Sequence, residues 1–129
     1  RPEWYRLVYH QVVSGNQSLA TATVRMETSN GSVEQASCGD GPVDAIFKAI
    51  EAAVGFSVGL KDYQLKAVTA GEDALGEATV WVESNGEVFT GRGLSTDVIE
   101  ASARAYVGAI NKMLATRGHP EEKQAAGGI

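Results

Sequence analysis

The second half of this chain repeats the first, and no other feature of the sequence narrows its fold as much. Ala22-Thr23-Val24 recurs as Ala78-Thr79-Val80, Asn30-Gly31 as Asn85-Gly86, Val33 as Val88, and Asp44-Ala45-Ile46 as Asp97-Val98-Ile99. The offset drifts from 56 to 53 residues, a drift that loop-length differences accommodate. Two copies are fewer than the three or more that a solenoid needs, so the repeat describes one domain built twice.

Each copy reads as three strands and a helix. Trp4 to Val13 is dense in aromatic and β-branched residues and runs into the turn-forming Ser14-Gly15-Asn16, which predicts a strand. From Leu19 to Thr28, Ala20, Ala22, Val24 and Met26 alternate with Thr21, Thr23, Arg25 and Glu27, a period of two that buries one sheet face and wets the other. Asn30-Gly31 predicts a tight hairpin, with Ser32 to Cys38 returning antiparallel. After Gly39-Asp40-Gly41-Pro42, the residues Val43, Ile46, Phe47, Ile50 and Val54 fall at helical spacing, and Gly55 ends the helix. Pro42 suits a first helical position. In the second copy, Val58 to Ala70 holds a strand (Tyr63, Leu65, Ala67), Gly71-Glu72-Asp73 breaks it, and Glu77 to Glu83 and Val88 to Leu94 flank the Asn85-Gly86 hairpin. Ile99, Ala103, Tyr106, Ile110 and Met113 then mark a long helix, which Thr96 or Asp97 can cap, with Glu100 available to complete a capping box.

The predicted fold class is α+β: two βββα units, about 4–55 and about 57–114, related by a pseudo-twofold axis, with antiparallel sheets packed with helices. Ala101, Ala105, Gly108 and Ala109 on the second helix permit close approach of another backbone, either from a second subunit or from within the chain. Residues 115–129 are small, charged and Gly-rich without periodicity, and are expected to form a frayed tail after the domain at 1–114.

At 129 residues the chain fits one domain and is far short of a TIM barrel. Its 43% apolar and 21% charged composition suits a folded soluble domain. A net charge of −5 without a Lys/Arg cluster argues against nucleic acid. No apolar run approaches a membrane span, no leading segment reads as a signal peptide, and the lone Cys38 forms no disulfide within the chain, so the cytoplasm is the expected location.

Chemistry-bearing residues are sparse. His10 and His119 lack the companions a metal site needs, and Cys38 reads as a small strand residue rather than a nucleophile. Glu72-Asp73 is an adjacent pair in a turn. More informative is Gly39-Asp40-Gly41-Pro42, which delivers a strand end into a helix start, where unpaired N–H groups and the helix dipole favour an anion. Val43 and Asp44 follow where a P-loop needs Lys and Ser/Thr, so a small carboxylate fits better than ATP, and a bare tight turn remains the other reading.

Taken in order, Trp4-Tyr5-Arg6-Leu7-Val8, Gly39-Asp40-Gly41-Pro42-Val43-Asp44-Ala45, Leu60-Lys61-Asp62-Tyr63, Asp73-Ala74-Leu75-Gly76-Glu77 and Gly91-Arg92-Gly93-Leu94-Ser95-Thr96-Asp97 resemble the C-terminal regulatory domain of 2-isopropylmalate synthase. The resemblance implies a doubled βββα fold, a homodimer, and feedback inhibition by leucine bound near the dimer interface. It places catalysis, the condensation of acetyl-CoA with 2-oxoisovalerate assisted by a divalent metal, in a TIM-barrel domain outside this chain, which itself carries no catalytic residue, metal or cofactor. Carried over, the leucine site comprises Gly39, Asp40, Gly41, Pro42, Val43 and Asp44, faced by Tyr63, Leu65, Ala70, Gly71, Asp73 and Ala74. Two alternatives stand beside leucine: an isoleucine-binding domain similar to that of citramalate synthase, and a dimerisation module that binds no ligand. A self-contained small enzyme has no constellation to support it.

Overall fold

In a computed structural model the described residues are 4–15 and 19–119, without the side chains of Ala70 and Asp73. The first unit is β1 (Arg6–Ser14), β2 (Leu19–Thr28), β3 (Gly31–Asp40) and α1 (Pro42–Val54). The second is β4 (Gly59–Ala70), β5 (Asp73–Ser84), β6 (Glu87–Ser95) and α2 (Val98–Arg117). Each sheet is an antiparallel meander, in the orders β1-β2-β3 and β4-β5-β6. The period-two pattern decides which face turns inward: Ala20, Ala22, Val24 and Met26 of β2 are buried, as are Ala78, Val80 and Val82 of β5. α1 covers β2 and β3, α2 covers β5 and β6, and the helices pack on each other, so both units share one core.

Strand register aligns the two units differently from the sequence matches. Ala20 pairs with Gly39 as Gly76 pairs with Ser95, and Met26 with Val33 as Val82 with Phe89. The helix caps Gly41 and Asp97 keep the same spacing. The offset therefore stays at 56 from β2 through the helices, so Val33 corresponds to Phe89 and Asp44 to Glu100. Only the first strands are 53 apart, with matching bulges at Leu7/Tyr9 and Leu60/Asp62, because the β4–β5 hairpin is three residues longer than the β1–β2 connection. The Asn-Gly pairs misled the alignment by one position. In the second unit Asn85 and Gly86 are the turn, both at positive φ, whereas in the first the turn is Ser29-Asn30 and Gly31, at φ 116°, already opens β3.

Gly71 and Glu72 alone form the β4–β5 turn, so Asp73 begins β5 rather than ending the break. Trp4 and Tyr5 precede β1 instead of opening it. α2 continues to Arg117, beyond Leu114 where the apolar repeat runs out, and His119 just after it is buried. Residues 120–129 of the expected tail lie outside the described residues.

The small-residue stripe of α2 is used within the chain. A Cβ added to Gly91 would collide with the backbone of Ala105 and Ala109, and one added to Gly93 with the backbone of Ala101. Helix and strand backbones therefore lie directly against each other, with Ala101, Ala105 and Ala109 fully buried between them. A second subunit has no access to these three alanines.

Substituting Gly91 or Gly93 with Ala is expected to cost about 3 kcal/mol or more, since neither the helix backbone nor the strand can yield cheaply. Gly108 makes the internal contrast, because its added Cβ would meet only Gly91 Cα at 3.8 Å. Gly108→Ala should stabilise by about 0.5–1 kcal/mol through helix propensity. Urea unfolding of the three variants measures both signs.

Candidate functional site

The Gly39–Asp44 loop is assembled by contacts that leave little choice of residue. Gly39 is buried where β3 meets α1, and a Cβ there would lie 2.5 Å from Ala45 N. Gly41 takes φ 95° and ψ 169°, a region open essentially to glycine. Asp44 then clasps the loop from inside: its Oδ2 accepts from Asp40 N–H at 2.8 Å and pairs with Lys48 Nζ at 3.0 Å. The Asp40 amide and the Lys48 ammonium hold the Asp44 carboxyl below its ordinary pKa. Asp44 thus holds the loop's shape.

The two helix starts differ sharply. At α2, Asp97 accepts from the N–H groups of Ile99 (2.9 Å) and Glu100 (3.4 Å). Glu100 does not complete a capping box. Its Oε1 accepts from Ser95 Oγ at 2.8 Å and its Oε2 pairs with Arg104 at 3.0 Å, while the Asp97 N–H donates to Ser95 Oγ at 3.0 Å. At α1 the corresponding cap is Gly41, which has no side chain, and Pro42 has no N–H. Among the described residues no side chain accepts from Val43 N–H or Asp44 N–H, so this helix start presents two unsatisfied donors and the positive end of its dipole.

Tyr63 crosses from β4 to the seam between the helices. Its ring meets Phe47 of α1 edge-on at 5.5 Å, and its hydroxyl lies 2.8 Å from Ser102 Oγ, which itself donates to Val98 O at 2.8 Å. Phe47 also packs on Tyr106 at 4.6 Å, and the Tyr106 hydroxyl donates to Glu51 at 3.1 Å. Burial and the Glu51 carboxylate push the Tyr106 hydroxyl far above its ordinary pKa, so it remains a donor. Val43 sits one turn before Phe47 on the same face of α1, and Leu65 follows Tyr63 on the same face of β4. Leu65 is 43% exposed.

The remaining anticipated residues occupy the end of the β4–β5 hairpin. Ala70 pairs with Asp73 across the turn at Gly71, and Ala74 with Thr69. The side chains of Ala70 and Asp73 lie outside the described residues. This end extends past β6, whose last paired residue, Ser95, lies opposite Gly76. The structure therefore gathers the 39–44 loop into one unit and brings Tyr63 to Phe47, while the hairpin end lies about seven residues, roughly 23 Å, along the strand from Tyr63. Phe47, Ser102 and Tyr106 were not anticipated at this seam. Phe47 and Tyr106 fit the helical stripes of ordinary core residues, and only tertiary packing distinguishes them.

The histidines have local roles. His10 Nε2 lies 3.7 Å from Asp97 Oδ2, and His119 packs among Trp4, Tyr5 and Phe56. Among the described residues no group of three or more His, Cys, Asp or Glu side chains could hold a metal ion, and no helix is long and apolar enough to cross a membrane.

The chain is thus a doubled βββα domain in which one helix start caps itself and the other stays open. The chain belongs to the LeuA allosteric (dimerisation) domain family, whose model it matches over residues 1–114. It is 51% identical over 112 residues to the 2-isopropylmalate synthase of Clostridium kluyveri, covering 87% of this chain and 22% of that protein. To the 2-isopropylmalate synthase of Brevibacillus brevis it is 51% identical over 120 residues (92% and 23%), and to that of Pyrococcus furiosus 48% identical over 110 residues (84% and 22%). The chain spans under a quarter of the length of these relatives.

Asp44 and Glu100 both have carboxyls held below their ordinary values, so each stabilises the fold above about pH 4 and loses that contribution as the pH falls through its folded pKa. The Asp44→Asn/Glu100→Gln double variant should therefore be less stable than the parent chain at pH 7 and approach it near pH 2, read by thermal unfolding across that range. Asp97→Ala should cost about 1 kcal/mol at pH 7 through the lost cap.

Proposed function

We propose that this chain is a regulatory and dimerisation domain of a 2-isopropylmalate synthase, that it binds leucine at the start of α1, and that leucine so bound inhibits the enzyme. Its partners on this reading are a second copy of itself and a catalytic TIM-barrel domain, and it works in the cytoplasm. The observation that carries the reading is the pair of unsatisfied amides, Val43 N–H and Asp44 N–H, on a loop whose close packing requires Gly39 and whose backbone conformation requires Gly41. The Asp97 carboxylate over α2 supplies an internal template, because it occupies the position that a ligand carboxylate would take over α1. Val43, Tyr63 and Leu65 offer apolar surface for a branched side chain. The ammonium requires acceptors, for which Asp73 and the carbonyls of the hairpin end of the second copy are the candidates.

Bound leucine acts on the enzyme only through different affinities for two states. The contacts from α1 through Phe47 to Tyr63 and Tyr106, and from Tyr63 to Ser102, give ligand occupancy a route to α2.

Thermal unfolding with leucine, isoleucine, valine or no ligand tests the assignment. At about 100 times its dissociation constant leucine should add ~2.7 kcal/mol, a rise of several degrees, and exceed isoleucine. A larger rise with isoleucine would move the assignment to a citramalate synthase type of domain, and no rise with any of the three would leave a dimerisation module.

A further inference from the structure

The pseudo-twofold relation serves as an internal control, and α2 departs from it. It has 20 residues against 13 in α1, and the added turns do work that α1 does not. Asn111 lies on them, and its Oδ1 accepts from Tyr5 N–H at 3.0 Å while its Nδ2 donates to Tyr5 O at 2.8 Å. At the corresponding position the first unit has Gly55, which has no side chain to hold the segment leading into β4. Arg117, the last residue of α2, anchors the helix on the β5–β6 hairpin by donating to Ser84 O and Glu87, both at 2.9 Å.

Immediately beyond, His119 is 6% exposed and its ring lies 4.7 Å from Trp4, 5.9 Å from Tyr5 and 5.6 Å from Phe56. His119 Nε2 is 2.7 Å from the Tyr5 hydroxyl. The backbone leading into the first unit is thus gripped by the helix of the second, from both sides of one residue.

We propose that Asn111 and His119 form a clasp that ties the direction of the chain arriving at Trp4 to the position of α2, so that a ligand-driven shift of α2 is passed to whatever precedes Trp4. The second half of this proposal rests on the leucine reading above. The asymmetry between Asn111 and Gly55 separates the clasp from the packing that the repeat itself demands. The path is short and rigid: Tyr106, against Phe47 of α1, lies five residues before Asn111 on one continuous helix.

Hydrogen exchange at the Tyr5 amide of this chain tests the clasp directly. Asn111→Ala should speed that exchange at least tenfold, with β5 amides changed less than twofold, and Asn111→Asp, which keeps an acceptor for Tyr5 N–H but sets a second oxygen against Tyr5 O, should restore only part of the protection. His119→Phe keeps ring packing and removes the Nε2 contact, so it should speed exchange at Tyr5 by a smaller factor. In the complete synthase, Asn111→Ala should leave leucine affinity within twofold and cut maximal inhibition by at least half. Unchanged Tyr5 exchange in Asn111→Ala, or full inhibition of that variant at saturating leucine, overturns the clasp. If the parent chain shows no leucine-dependent stabilisation, the ligand reading fails, and the exchange measurements alone decide for or against the clasp.

Discussion

The rest of the structure depends on the direct backbone contact of α2 with β6. A helix normally stands off a sheet by the length of its side chains. Here Gly91 and Gly93 offer none, and Ala101, Ala105 and Ala109 offer one methyl each, so α2 sinks onto the strand. That depth sets where Ser102 and Tyr106 emerge on the adjoining face of the helix, and hence whether they reach Tyr63 and the α1 residues Phe47 and Glu51. The first unit repeats the stripe as Ala45, Ala49 and Ala53, all buried, but uses a single close approach at Gly39, where β3 ends. Each helix is therefore seated on its own sheet before it meets the other, and the seam between them is left to aromatic rings and hydroxyls.

A duplicated fold presents the same local problem twice, and the two copies solve it differently. Both helix starts need partners for their first amides. α2 supplies its own in Asp97, and its neighbours Ser95, Glu100 and Arg104 form a closed network. α1 keeps the equivalent ion pair, Asp44 with Lys48, but directs it at Asp40 N–H, one residue before the cap, so the loop is held while the amides are not. Rigid backbone with unmet hydrogen-bonding capacity is the condition for binding an anion without reorganisation, and the fold creates it once by placing Gly where the other copy has Asp.

The strand faces were legible because alternation over ten residues in β2 leaves one way to bury Ala20, Ala22, Val24 and Met26. Both helices were legible for the same kind of reason, and the Gly39-to-Asp44 segment because a glycine pair followed by proline has few uses. Register was not legible. Asn30-Gly31 and Asn85-Gly86 look alike, yet one straddles the end of its turn and the other fills it, a difference that depends on φ and leaves no trace in composition. The stripe Ala101, Ala105, Gly108, Ala109 announced close approach but not its partner, since Gly91 and Gly93 carry no marker of which face they serve. Glu100 was three residues from its cap as a capping box requires, and Ser95 with Arg104 outcompeted that geometry. The joining of Tyr63 to Ser102 and of Tyr5 to Asn111 spans 39 and 106 residues, beyond the reach of any local pattern.

The length of α2 follows from these constraints rather than from helix propensity. A 13-residue helix suffices to cover one sheet, as α1 shows, and the apolar periodicity of α2 is satisfied by Leu114. What extends it is fixation from outside: Asn111 bonded to the Tyr5 backbone, Arg117 bonded across to the β5–β6 hairpin, and His119 inserted among three aromatic rings. Each of these contacts joins α2 to a segment at the edge of the core, and α2 also meets α1 through Tyr106, which packs on Phe47 and donates to Glu51. An element so placed moves as a body or not at all, because the glycine contacts beneath it permit sliding along β6 only at the cost of steric overlap. The steric lock beneath α2 and the bonds at its far end thus act together, fixing the helix both along β6 and against the chain arriving at Trp4.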